Sequence, residues 1–199
     1  GAGGLDVAVA MGGGAFHLRG VRGHGEGFVD GALMYRDVRV TRERQGCDGE
    51  GWVYRLPTEA EWERAASGRD GRRRYAFEGE ASPEKMNYDA TGLHDTSPVG
   101  IFPRGCSEEG TEDLNGNAWE WVADLYRSDY ENDRRRNPCG PEITEEIADS
   151  SPRVSRGGGW SYDVRDLRSA LRNKFLPGYR YGYLGFRCAR VVGLLEDGA

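Results

Sequence analysis

The chain has 199 residues, a net charge of −6 and a hydrophobic fraction of 37%. This length suits one compact domain with a substantial core, and the acidic balance argues against a nucleic-acid groove as the main surface. Neither a membrane-spanning apolar run nor a signal-peptide pattern is visible, so the sequence does not indicate a cell compartment.

Glycine is unusually common, with 31 residues against eight prolines. So much glycine favours tight turns and irregular loops over a helix bundle. In the glycine-rich N-terminal part, Tyr35–Val40 alternates between apolar and polar residues, which predicts a strand. The four cysteines form no Cys-x-x-Cys pair, so a structural zinc site is not expected. Free thiols are favoured over a disulfide, which stays an alternative.

One segment has clear helix signals. Thr58 is a suitable N-cap, Glu61 is its capping-box partner three residues later, and Gly68 can end the helix. The helical spacing predicts a buried apolar stripe of Trp62, Ala65 and Ala66, with Glu59, Glu63 and Arg64 outside.

The remaining elements are predicted from short runs. Trp119–Tyr126 is apolar and aromatic, and it fits either a buried strand or a helical turn. Phe186–Val192 alternates toward a C-terminal strand. We expect loops over residues 68–79, 91–98 and 127–152, where turn-forming residues dominate.

Several motifs occur in a fixed order along the chain. They are Tyr54–Glu63, Asn87-Tyr88, Ser97–Gly100, Phe102-Pro103, Asp113–Trp121, Arg153–Trp160, Arg168–Arg172 and Leu184–Cys188. In this order they resemble the formylglycine-generating-enzyme (sulfatase-modifying factor) family. The resemblance implies an α+β, C-type-lectin-like fold with small antiparallel sheets, few helices and high loop content. We expect one such domain over residues 1–199, with a shortened N-terminal part at 1–53.

The resemblance also bears on catalysis. Catalytic members of the family carry two copper-binding cysteines after the Gly-Gly-Ser-aromatic motif. The corresponding positions here are Tyr162 and Leu167, and neither side chain can supply a thiolate. We therefore expect no copper and no enzyme activity. The alternative is an oxidoreductase of the formylglycine-generating type, or another family enzyme, with altered catalytic groups.

Calcium is the one cofactor that the resemblance implies, in a structural role. The family's Asn-Gly-Asn-Ala-Trp-Glu-Trp turn wraps a calcium ion, and hard oxygen ligands of this kind are what Ca²⁺ prefers. The corresponding groups here belong to Asp113, Gly116, Ala118 and Glu120. A second site would use Asn87 and the Tyr88 carbonyl, with Asp89 or Asp95 as the acidic group. The alternative is that these groups only hydrogen-bond their loop.

The segment 161–183 is the candidate binding surface. It contains four of the ten tyrosines, and tyrosine gives binding loops a large contact area at low entropic cost. Its candidate ligand-binding residues can each be reached from an asparagine codon by changing only adenines; they are Ser161, Tyr162, Asp163, Phe175, Leu176, Tyr179, Tyr181 and Tyr183. This pattern resembles the variable proteins of diversity-generating retroelements. An ordinary noncatalytic family member with an aromatic loop is the alternative.

These observations lead to one functional prediction. We expect a noncatalytic ligand-binding module, of the retroelement-diversified type, whose partner is a protein or a carbohydrate and not a nucleic acid. The segment 161–183 would be its ligand-binding variable region. Besides the enzyme, a further alternative is a structural or effector-associated domain of a longer chain.

Overall fold

The computed structural model describes residues 7–10, 52–128 and 150–192. Its regular elements are six strands and one α-helix. In chain order they are β1 (Val7–Ala10), β2 (Trp52–Arg55), α1 (Glu59–Ser67), β3 (Trp119–Leu125), β4 (Arg153–Arg156), β5 (Asn173–Phe175) and β6 (Leu184–Val192). The predicted strand Tyr35–Val40 lies outside the described residues.

Helix α1 begins as its sequence predicts. The Thr58 side chain accepts a hydrogen bond from the Glu61 backbone, and the Glu61 side chain accepts one from Thr58. Gly68, with φ 75°, follows the last turn. The apolar stripe is confirmed as buried, since Trp62 is 1% and Ala66 0% exposed.

One part of the helix prediction is wrong. Glu59 was expected on the outer face, but it is only 5% exposed. Its carboxylate is held by the guanidinium groups of Arg172 and Arg156, which compensate the charge that burial would otherwise penalise. The outer-face prediction holds for Arg64, which is exposed, and Glu63 is half-buried.

The strands form one connected sheet in the order β1-β6-β3-β4-β5, with β2 also paired to β6. Strands β3 and β6 run parallel, with Trp119 opposite Leu184, and the other described pairs are antiparallel. The expected α+β class with few helices and much loop is confirmed. Where small antiparallel sheets are expected, the described strands form one mixed sheet, because β6 pairs on both of its edges.

The sheet separates two packing regions. Successive side chains of a strand point to opposite faces, and β3 follows this rule. Val122 packs with Trp62 of the helix and with Val154 of β4. Trp119 and Trp121 pack instead with Leu184 and with the aromatic residues of the segment 161–183. The run Trp119–Tyr126, which fitted strand or helix, is therefore a strand with both faces covered.

Polar side chains order the loops between α1 and β3. The Asn115 amide accepts a hydrogen bond from the Ala76 backbone and donates one to the Leu167 carbonyl. Asn117, with φ 66°, accepts from the Ser97 backbone. The loop predictions for residues 68–79 and 91–98 are confirmed apart from one short 3₁₀ turn, Asp89–Thr91. The loop 127–152 lies largely outside the described residues.

The C-terminal strand is confirmed as β6, and the free-thiol prediction holds where the structure describes the cysteines. Cys106 and Cys188 are half-buried and form no disulfide. Burial raises the pKa of both thiols, which makes them poor nucleophiles. Cys47 and Cys139 lie outside the described residues.

In the part of the chain described, none of the helices has the length and apolar character needed to cross a bilayer.

Candidate functional site

A crowded glycine turn fixes the start of the segment 161–183. Gly157 and Gly158 have φ values of 97° and 83°, a region that favours glycine. A Cβ on Gly158 would lie 2.1 Å from the Leu167 Cδ2 atom. The Trp160 backbone N–H donates to the Asn117 carbonyl at 3.0 Å. No larger residue could replace Gly158 without moving the chain that leads into the site.

Charged contacts with helix α1 fix the middle of the segment. The Arg172 guanidinium donates to both carboxylate oxygens of Glu59, at 2.5 and 2.9 Å. Arg156, which is fully buried, donates to the Leu171 carbonyl at 2.8 Å and to Glu63. Of the two arginines that bound the motif Arg168–Arg172, Arg172 ties the segment to the helix. The other, Arg168, is exposed and its Nε donates to the Arg165 carbonyl.

Between and beyond these anchors, five rings form one continuous cluster. Neighbouring ring centroids lie 5.1–6.3 Å apart. Tyr181 and Tyr183 are stacked, with an interplanar angle of 8°, and Tyr162 meets Tyr183 edge-on at 79°. We call this cluster the aromatic surface; it consists of Tyr162, Phe175, Tyr179, Tyr181 and Tyr183.

The aromatic surface has a half-buried base and an exposed rim. Tyr162 packs edge-on against Trp119, at 5.5 Å between centroids, and Phe175 packs against Trp121 at 5.9 Å. Tyr179 and Tyr181 are 47% and 42% exposed. The other predicted ligand-binding residues divide in the same way: Tyr183 is half-buried, and Ser161, Asp163 and Leu176 are exposed. The structure therefore brings most of them to one region, with two rings partly exposed to solvent.

The two indole rings beneath the surface were not among the predicted site residues. Trp119 and Trp121 belong to the family motif, and their alternation on β3 was the signal that could have placed them there. The indole N–H of Trp119 is buried and has no hydrogen-bond partner. Two buried indole rings thus support the aromatic surface from beneath.

The resemblance implies that Tyr162 and Leu167 occupy the positions of the family's catalytic cysteines. Tyr162 places its ring against Trp119 and Tyr183. Leu167 is 0% exposed and packs with Tyr75, Phe77 and Met86. One position is therefore part of the aromatic surface and the other is core.

Two ionisable groups of the site have shifted pKa values. Partial burial, then the neighbouring Tyr162 hydroxyl, raises the pKa of Tyr183, which keeps its hydroxyl protonated. The pKa of Asp163 is lowered, first by the Arg165 backbone N–H and then by the Arg165 side chain. The Asp163 carboxylate lies 2.8 Å from the Arg165 Nε.

The first predicted calcium set lies on one turn, where an arginine neutralises the Glu120 carboxylate and the Gly100 backbone N–H donates to the Asp113 carboxylate at 2.7 Å. Arg187 donates to both carboxylate oxygens of Glu120, at 2.5 and 2.6 Å, and Trp62 donates to one of them at 2.7 Å. The Asp113 carbonyl also accepts from Arg187 at 3.1 Å. Gly116 and Ala118 lie on the same turn, where the Gly116 carbonyl accepts from the Ala118 backbone. A guanidinium therefore takes the place of the cation at Glu120, and this arrangement does not fit a metal ion there.

The second predicted calcium set offers one fitting ligand. The Asn87 Oδ1 atom is buried and has no hydrogen-bond partner, while its Nδ2 donates to the Asp95 carbonyl at 2.8 Å. The Tyr88 carbonyl accepts from the Thr91 backbone at 2.9 Å, and Asp89 and Asp95 are exposed. In the described ranges, no three His, Cys, Asp or Glu residues are grouped to hold a metal. Calcium stays a prediction, carried by the free Asn87 oxygen.

The family model of the sulfatase-modifying factor enzyme 1-like domain matches residues 21–192 of the chain. The chain belongs to this family. The fold and the resemblance inferred from the ordered motifs are thereby confirmed.

The relatives of this sulfatase-modifying-factor domain include proteins with different names. The domain is 38% identical over 142 residues to the serine/threonine-protein kinase Pkn1 of Chlamydia trachomatis, and the match covers 71% of the chain and 22% of that protein. It is 35% identical over 164 residues to the formylglycine-generating enzyme of Streptomyces coelicolor, covering 73% of the chain and 49% of the enzyme. The domain thus spans less than half the length of these relatives.

Among solved structures, the domain is similar to Treponema denticola variable protein 1. The two share 28% sequence identity with a TM-score of 0.58, over 69% of this chain and 47% of that one. This similarity supports the resemblance to variable proteins that the tyrosine-rich segment first indicated.

Proposed function

We propose that this sulfatase-modifying-factor domain is a noncatalytic module that binds a protein or carbohydrate ligand through its aromatic surface. The observation that carries the proposal is the exposed rim of Tyr179 and Tyr181 on a segment anchored to the fold. Large exposed rings on a held loop meet a ligand with little ordering cost. The similarity to a variable protein supports the same conclusion.

The absence of catalysis is part of the proposal. The ring of Tyr162 and the buried side chain of Leu167 stand at the two positions where the family's enzymes carry cysteines. Oxygen-dependent conversion of a substrate cysteine needs thiolates at such a copper site. Incubating the protein with copper and a cysteine peptide of the sulfatase type should give no formylglycine by mass spectrometry. Turnover above a copper-only control would favour the oxidoreductase instead.

Binding is tested by selecting ligands from a library of displayed peptides and by screening a glycan array. The two probes are the unmodified domain and a double variant, Tyr179→Ser with Tyr181→Ser. The matched control is Val99→Ser with Ile101→Ser, because these residues are 43% and 49% exposed on a loop outside the segment. Ligands retained by the control and lost by the tyrosine variant support the proposal. Ligands that bind all three proteins equally would contradict it. A failure to select any ligand would also contradict it.

A further inference from the structure

The segment that carries the aromatic surface differs in charge from the rest of the chain. Residues 161–183 contain five cationic and two anionic side chains, a net charge of +3, although the chain as a whole carries −6. No aspartate or glutamate occurs between Asp166 and Glu196, a stretch that contains β5, β6 and the exposed tyrosines. The ligand-facing part of an acidic protein is therefore basic.

Two of the five cations are paired with carboxylates, one in the fold and one at the surface. Arg172 is paired with Glu59 at 2.5 Å, and Arg165 with Asp163 at 2.8 Å. Among the residues that the structure describes, no carboxylate lies in ion-pair distance of the other three, which are Arg168, Lys174 and Arg180. These three side chains belong to exposed residues.

Of these three cations, Arg180 is the one next to the exposed tyrosines in the chain. It stands there between Tyr179 and Tyr181, the two exposed tyrosines of the aromatic surface. Within the described residues, its Nη1 donates to the Gly178 carbonyl at 2.8 Å. Lys174 is on the opposite side of β5 from Phe175, since strand residues alternate, and its ammonium lies 4.7 Å from the Tyr126 ring centroid. An unpaired guanidinium within an aromatic rim matches a carboxylate and an apolar side chain presented together.

We infer that the ligand of the aromatic surface is an acidic segment of a protein, with a carboxylate that pairs with Arg180. This inference rests on the proposed function and narrows its ligand class. Electrostatic complementarity of this kind speeds association and rejects basic partners.

The geometry of the rings favours a protein over a nucleic acid or a neutral sugar. The rings of Tyr181 and Tyr183 each cover one face of the other, with their centroids 5.1 Å apart. The Tyr179 ring meets the Tyr181 ring edge-on, with an interplanar angle of 75°. Base stacking and sugar stacking both use open ring faces, whereas edges and hydroxyls suit protein side chains and backbone. A nucleic acid carries phosphate charge along its whole length and would, unlike a short acidic segment, also be repelled by the acidic remainder of the chain.

The experiment measures binding of the peptides selected by the unmodified domain. Each is resynthesised with Gln and Asn in place of its Glu and Asp, and fluorescence anisotropy is measured at low and high salt. The protein variants are Arg180→Glu and, as a matched charge control, Arg72→Glu, which alters an exposed arginine on the loop after α1. Thermal melts verify that both variants are folded.

We expect the selected peptides to be rich in Asp and Glu. Their binding should weaken by about tenfold with Arg180→Glu, with the amide analogues and with added salt, and should be unaffected by Arg72→Glu. Neutral or basic peptides that require Tyr179 and Tyr181 would overturn the acidic ligand and leave the proposed function intact. Acidic peptides insensitive to Arg180→Glu would overturn it too, as would binding confined to the glycan array, or no binding.

Discussion

The Glu59 carboxylate of helix α1 accepts two hydrogen bonds from Arg172, a residue 113 positions later in the chain. Glu59 is the first residue of the helix, and Arg172 lies directly before strand β5. The pair therefore connects the best-formed local element to the segment that carries the aromatic surface. Three predictions about the fold follow, and a fourth concerns metal.

Replacing Glu59 by Gln should destabilise the protein strongly. The Glu59 and Arg172 side chains are only 7% and 14% exposed, and removing one partner of a buried pair costs about 3–5 kcal/mol because the other charge is left uncompensated. The exposed pair Arg104–Glu84, with side chains 67% and 71% exposed, is the control. Glu84→Gln should change the free energy of unfolding by less than about 1 kcal/mol. Equal effects of the two substitutions in urea titrations would contradict this prediction.

Glu61 should make the stability depend on acid pH. Burial alone would raise its pKa, but hydrogen bonds from Arg55 and Thr58 outweigh burial and lower it. A carboxylate with a lowered pKa in the folded state adds stability above its unfolded pKa and loses it as the pH falls through the folded value. Glu61→Gln keeps an acceptor for the Thr58 N–H, as capping boxes allow, but removes the charge. The variant should be less stable than the unmodified protein at neutral pH, and the difference in melting temperature should shrink below about pH 4, the usual carboxyl range. A difference that stays constant with pH would show that the charge is not responsible.

The rim and the base of the aromatic surface should respond differently to substitution. Tyr179→Ser and Tyr181→Ser should leave the melting temperature within a few degrees, because both residues are exposed and their rings contact only other residues of the aromatic surface. Tyr162→Ser should cost about 1–3 kcal/mol, since the half-buried ring packs against Trp119 and Tyr183. Differential scanning calorimetry of the single variants separates the cases. A collapsed melt for either rim variant would mean that the rim is part of the core.

Calcium should raise the melting temperature of metal-free protein, because an ion that binds only the folded state stabilises it by RT ln(1 + [L]/Kd). The buried Asn87 Oδ1 atom, which lacks a hydrogen-bond partner, is the group that motivates this expectation. Magnesium is the control, since it demands a smaller octahedral site. Identical melting temperatures in millimolar calcium, magnesium and EDTA would contradict the prediction that this domain binds calcium.

The features predictable from sequence were those set by near neighbours. Thr58, Glu61 and Gly68 specify the two ends of α1 within a few residues, so the helix was predicted correctly. The burial of Glu59 was missed because its compensating charges, on Arg156 and Arg172, come from distant strands and loops. Local propensity contains no information about such contacts.

The sequence predicted which residues form the candidate site, but not how deeply each side chain is buried. The tyrosine content of the segment 161–183 indicated a surface, but only the three-dimensional structure separates Tyr162 at the base from Tyr179 at the rim. The depth of Tyr162 depends on Trp119, and the strand that holds Trp119 was itself ambiguous because both of its faces are covered. The parallel pairing of β3 with β6 likewise depends on long-range contacts that no local motif encodes.

The sheet separates two packing regions, and this separation has an evolutionary consequence. Trp62 and Val122 hold the fold together on one face, while the exposed rings lie beyond the other. Mutations at Tyr179 or Tyr181 can therefore accumulate with little selection against misfolding, whereas the residues beneath them are constrained. A scaffold built in this way can sample many ligand specificities while its own folding requirements stay the same.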